Sequence, residues 1–157
     1  MKYEHEEIKK KVNIAIDLLF KNDSFILEIN ANERSISHKL AEYIQTQFPE
    51  WHIDCEYNRK VKETKRLEDI AECSEQRTTD RILPDIIVHH RSVDDNELVI
   101  EIKPNKKNDP CDIEKLKLLT QKDGEYSYDF GLYIQFDKTK KPSLTWYKDG
   151  KEYVRTN

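Results

Sequence analysis

The chain reads as an α/β domain, and three observations predict this. Apolar residues recur at three- and four-residue spacing over Glu4 to Phe20 and again toward Gln47. Two β-branched runs, Leu83 to Val88 and Glu97 to Lys103, flank a polar turn, and a helix pattern followed by another apolar strand comes after them. The 157 residues make one domain by length, spanning 1–157. With 36% hydrophobic and 37% charged residues, the clustering of apolar positions predicts a compact domain with a heavily charged surface rather than disorder.

Glu4 to Phe20 is predicted as an amphipathic helix with Ile8, Val12, Ala15, Ile16 and Leu19 facing inward. Lys21-Asn22-Asp23-Ser24 predicts its break, and Phe25-Ile26-Leu27 a short apolar link of open state. A second helix starts between Asn30 and Asn32 and runs to about Gln47, burying Ile36, Leu40, Ala41 and Ile44. Glu33 lies one turn before Ser37 on that stripe, so it points toward the core. It fits a capping box with Asn30 as cap, or a functional carboxylate.

Pro49 ends this helix, and Trp51 to Tyr57 alternates as a half-buried strand, with Trp51, Ile53, Cys55 and Tyr57 inward. Asn58 to Ile82 carries no sustained apolar period and is expected to be a long excursion. Its basic residues Arg59, Lys60 and Lys62, with Arg77 and Arg81 further on, read either as solvated surface or as a grip on a phosphate backbone. Lys106 and Lys107, just past the second β run, join that candidate set.

The two runs from Leu83 to Lys103 predict an antiparallel hairpin. With its turn centred near Val93, Asp85 falls across from Glu101, and Lys103 shares the face of Glu101. Asp109-Pro110 then starts a helix as cap and first-turn proline, with Asp112 in the same turn and Ile113, Leu116, Leu119 and Thr120 facing in. Lys115 on this helix reads as a surface lysine or one facing the site. Phe130 to Phe136 is apolar on both faces, as a central strand should be, and Lys148-Asp149-Gly150-Lys151 predicts a C-terminal hairpin between Ser143–Tyr147 and Glu152–Arg155.

Two carboxylates meeting at the end of a strand pair resist joint ionisation unless a cation lies between them. Magnesium suits so sparse a set of oxygen ligands better than calcium or zinc, since it needs one or two protein carboxylates and completes its shell with water and phosphate. A lysine beside them can hold an attacking water, which points to phosphodiester hydrolysis.

Pro84-Asp85, fifteen intervening residues and Glu101-Ile102-Lys103 resemble the PD-(D/E)xK signature of the restriction-endonuclease-like nuclease superfamily. The order helix, strand, hairpin, helix, strand over about residues 30–136 is similar to that family's α-β-β-β-α-β core, and Asn32 to Ala41 resembles its first helix. The resemblance implies a mixed central sheet flanked by helices, with an N-terminal helix and a C-terminal hairpin added. It implies a magnesium-dependent nuclease, manganese substituting, with DNA as the expected substrate. Asp85, Glu101 and the backbone carbonyl of Ile102 would be metal ligands, Lys103 would position the water, and Glu33 would support the metal or a second ion. Such nucleases commonly work as homodimers or with a partner subunit. The alternative is a module that keeps the fold, does no chemistry and binds nucleic acid or a protein.

The formal charge of −4 excludes a globally basic nucleic-acid binder, so contact with a phosphate backbone would need a local patch. Cys55, Cys73 and Cys111 are odd in number and form no CxxC, which predicts reduced thiols in a cytoplasmic protein, Cys55 and Cys111 acting as small apolar residues. Neither a signal peptide nor a membrane span is expected. His52, His89 and His90 lack zinc spacing and read as surface imidazoles, while Trp51, Tyr57, Trp146 and Tyr147 fit strand packing.

Overall fold

The computed structural model describes residues 2–29, 31–57, 59–60, 81–106, 108–138 and 140–155, without the side chains of residues 59, 60, 81 and 106. Its centre is a six-stranded mixed sheet. In chain order the strands are β1 (His52–Cys55), β2 (Arg59–Lys60), β3 (Arg81–Ile82), β4 (Ile86–His90), β5 (Asp95–Lys103), β6 (Phe130–Gln135), β7 (Ser143–Lys148) and β8 (Lys151–Glu152). The sheet order is β1-β4-β5-β6-β7-β8, while β2 and β3 form a separate two-stranded ribbon. All neighbours are antiparallel except β5 and β6. A parallel pair needs a crossover, and helix α3 (Pro110–Leu119) supplies it.

Strand alternation separates the two faces. Ile86, Val88, Leu98, Ile100, Ile102, Leu132 and Ile134 pack with Ile8, Val12, Leu19, Ile36, Leu40 and Ile44 of α1 (His5–Glu28) and α2 (Glu33–Gln47). Ile87, Val99, Tyr133 and Tyr147 pack with Leu116 and Leu119 of α3 on the other face. Each such aliphatic side chain contributes about 1.5–3 kcal/mol of burial, which explains why β4, β5 and β6 are apolar on both sides.

The first helix outlasts its expected end at Phe20. It bends at Asp23 (φ −133°, ψ 27°) and continues to Glu28. The Tyr43 hydroxyl of α2 donates to the Asp23 carboxylate and holds the bend, while Leu27 is buried in the core. The supposed link is therefore helix, because continuing the helical phase buries Leu27 and half-buries Ile26, while Phe25 stays exposed. The cap of α2 is Asn32, whose Oδ1 accepts from Ser35 N at 2.9 Å; Asn30, the expected cap, lies outside the described residues, and Glu33 is the first helical residue.

Strand β1 is shorter than the alternation predicts, and Cys55 is an exposed free thiol rather than a half-buried apolar residue. Cys111 is disulfide-bonded, which overturns the expectation of reduced thiols throughout; spacing along the chain carries no information about which thiols meet in space. The stretch after Tyr57 is not wholly without strands, since Arg59–Lys60 pairs with Arg81–Ile82. The C-terminal hairpin forms on Asp149 and Gly150, whose φ values of 51° and 77° match a type I′ turn, but β8 stops at Glu152 and Val154 is exposed. Trp51, Trp146 and Tyr147 are buried as strand-packing residues. Among the described residues no helix is long and apolar enough to cross a membrane.

Candidate active site at the end of the central hairpin

The β4–β5 register is the one the sequence predicts. Ile86 faces Ile100 and Ile87 faces Val99, so one step further places Asp85 opposite Glu101. A bulge between Val88 and His89 shifts the pairing near the turn and leaves this end untouched. By alternation Asp85, Glu101 and Lys103 belong to the α3 face, where Val99 and Ile87 pack on that helix.

Asp85 is fixed twice. Its Oδ2 accepts from the backbone N–H of Ile102 at 2.7 Å, and its backbone oxygen accepts from Glu56 N at 3.2 Å. Glu101 is 1% exposed, and its Oε2 lies 3.3 Å from Lys115 Nζ. Its other oxygen, Oε1, is buried and has no hydrogen-bond partner among the described residues. An orphaned buried carboxylate oxygen is costly, and a bound cation is one way to satisfy it.

Lys103 Nζ lies 2.9 Å from Glu33 Oε2, 3.2 Å from Asp109 Oδ2 and 2.9 Å from Asp112 Oδ2. Asp112 turns its Oδ1 to Lys115 Nζ at 2.6 Å. One aspartate at the start of α3 thus joins both lysines. Glu33 reaches this cluster from the opposite layer, because the first turn of α2 begins beside the end of β5. In front of Lys103 lies a cavity of about 370 Å³ lined by Glu33, Lys103, Pro104, Asn105, Asn108 and Asp109. Asn105, with φ 64°, turns the chain sharply away after Pro104 and leaves that space open.

The electrostatics follow from burial. Asp85 is pushed up to about 7 by burial, with the charge of Glu33 adding to it and the Ile102 N–H and Lys115 opposing. Burial raises Glu101 well above the usual carboxylate range, against the pull of Lys115. Burial alone would lower both lysines, but Asp112 and Glu33 around Lys103, and Glu101 and Asp112 around Lys115, outweigh it and hold both above the ordinary lysine value. Five carboxyl groups therefore gather around two ammonium groups, and burial raises the two at the end of the hairpin, Asp85 and Glu101. Among the described residues no three His, Cys, Asp or Glu side chains are already gathered as metal ligands, and ammonium groups occupy gaps between the carboxylates.

The structure brings together Asp85, Glu101, Lys103 and Glu33. Of the basic candidates, Lys62, Arg77 and Lys107 lie outside the described residues, as do the side chains of Arg59, Lys60, Arg81 and Lys106. Lys115 is not a surface lysine; it is 6% exposed and part of the cluster. Asp112 was readable only as a helix-start residue. Asp112, Lys115, Leu116 and Leu119 share one helical stripe, so the missed signal was a charged pair at i, i+3 in phase with two leucines.

His89 is buried rather than superficial, with Nε2 2.7 Å from Asp54 Oδ2, and Arg91 pairs with the same carboxylate. His90 stacks on Trp51 at 4.1 Å between ring centres. These contacts lie at the turn end of the hairpin, away from Asp85. Comparison with protein-family models and with curated proteins finds no match for this chain.

Proposed function

We propose that this chain is a metal-dependent nuclease of the restriction-endonuclease-like kind, hydrolysing phosphodiester bonds in nucleic acid, with DNA as the expected substrate. The observation that carries the reading is the buried, unpartnered Oε1 of Glu101 beside the fixed carboxylate of Asp85. The sheet order, antiparallel through β1-β4-β5 and parallel at β5–β6 with α3 between, also supports it.

Asp85, Glu101 and the carbonyl of Ile102, with Glu33 in support, would hold the magnesium ion. Once bound, magnesium supplies charge stabilisation at the phosphate oxygens. Lys103 remains an ammonium group, so it acts as a donor that orients water and phosphate rather than as the base. The cavity beside it gives a phosphate a route to that ammonium. Glu33 and Asp109 hold the Lys103 side chain in place before substrate arrives.

A second reading is favoured by the lysines lying between the carboxylates: a non-catalytic module that keeps the fold and binds nucleic acid or a protein partner. Plasmid and single-stranded DNA cleavage, with magnesium or manganese and with chelator, separates the two. On the nuclease reading Asp85→Ala, Glu101→Gln and Lys103→Ala each lower the rate by about 100-fold or more, and chelation abolishes it. Cleavage indifferent to all three substitutions and to chelator removes this assignment, and binding of nucleic acid without any cleavage turns it toward the module.

A further inference from the structure

The Lys115 ammonium lies 3.3 Å from Glu101 Oε2 but 2.6 Å from Asp112 Oδ1. The first distance is long for a charge-assisted hydrogen bond and the second is short, so this ammonium leans toward Asp112. All three side chains are nearly inaccessible, at 8% for Lys115, 5% for Asp112 and 1% for Glu101. Water therefore screens little of the charge that Lys115 places beside Glu101.

We propose that Lys115 is a resident competitor for the cation seat on Glu101, so that divalent-metal affinity is limited by α3 as well as by the hairpin carboxylates. This inference rests on the reading of Asp85 and Glu101 as metal ligands. Three features carry it. The lysine is a fixed positive charge next to a carboxylate whose other oxygen has no partner. Asp112 gives the ammonium a second anchor, so it stays bound when its hold on Glu101 loosens. Asp112 is also paired with Lys103 through Oδ2, so removing Lys115 does not leave that aspartate without a counter-charge.

The test is calorimetric titration of manganese into the metal-stripped full chain in a mildly alkaline buffer. Lys115→Met removes the charge with similar volume, and Lys115→Gln keeps a neutral donor for Glu101 should the methionine variant fail to fold. Each folded variant is expected to bind manganese roughly tenfold more tightly than the parent, because a like charge has been removed from the seat. A purely structural lysine would give the opposite result, since its loss would disorder Glu101 and weaken binding. Equal or weaker binding, with manganese still taken up by the parent and lost in Glu101→Gln, overturns the role of Lys115 and leaves the carboxylate site standing. No uptake by parent or variants overturns both.

Discussion

The Asp85 carboxylate accepts the backbone N–H of Ile102 at 2.7 Å, across the open end of the hairpin. This one bond ties the entrance of β4 to the exit of β5 and places the aspartate beside Glu101. It opposes the burial that drives the Asp85 pKa upward, and it does not win. An acid whose folded pKa is raised from 3.8 to about 7 binds more protons folded than unfolded across that window.

Stability from Asp85 is therefore complete below about pH 4 and lost as pH rises through about 7. Asp85→Asn keeps an oxygen for the Ile102 N–H and has no proton to lose. In metal-free buffer the variant should gain on the parent as pH rises from 4 to 8, by on the order of 3 kcal/mol in all. Thermal melts across that range check this, and parallel curves for the two proteins would contradict it.

Asp54 should behave in the opposite sense. Arg91 beside it holds its carboxyl below the usual range, against partial burial and with help from His89. Its contribution is present above the ordinary carboxylate pKa and disappears as pH falls through the lowered one. Asp54→Asn should cost about 1–2 kcal/mol at neutral pH, a modest figure because Arg91 is half exposed, and should match the parent in strong acid. Acid titration followed by circular dichroism gives the comparison.

Lys103→Met leaves Glu33, Asp109 and Asp112 without their shared ammonium. We expect a loss of about 2–4 kcal/mol near neutrality. Denaturant unfolding at neutral pH measures it; a stability equal to that of the parent would mean that the three carboxylates do not depend on this ammonium.

Gly131→Ala probes the contact between β6 and α3. A methyl group there would meet Thr120 Cγ2 at 3.0 Å and Tyr147 Cβ at 3.2 Å, so the helix would have to move outward. The expected destabilisation is about 1–3 kcal/mol. A melting temperature equal to that of the parent would show that α3 can give way at no cost.

Much of the architecture could be read from alternation and spacing. The hairpin register followed from where β-branched residues stop and turn residues start, and Asp109-Pro110 marked the start of α3 through a cap whose side chain accepts from Cys111 N at 3.0 Å. Other features depend on space rather than order. The phase of α3 was ambiguous because Ile113 and Thr120 fit an inward stripe about as well as Asp112 and Lys115, and only packing against β5 decides. His89 looked superficial because its partner, Asp54, lies 35 residues earlier. The disulfide at Cys111 and the helical course of Phe25 to Leu27 likewise belong to contacts that no local pattern encodes.

The ion pair between Glu33 and Lys103 joins residues 70 positions apart, from opposite layers of the fold. Asp85, Glu101, Lys103, Asp112 and Lys115 all come from one continuous stretch, whereas Glu33 comes from the helical layer on the other face of the sheet. Fraying of the first turn of α2 would thus release one arm of the cluster without unfolding the sheet, making amide exchange at Ser35 and Ile36 a gauge of how often the pocket's outer wall opens.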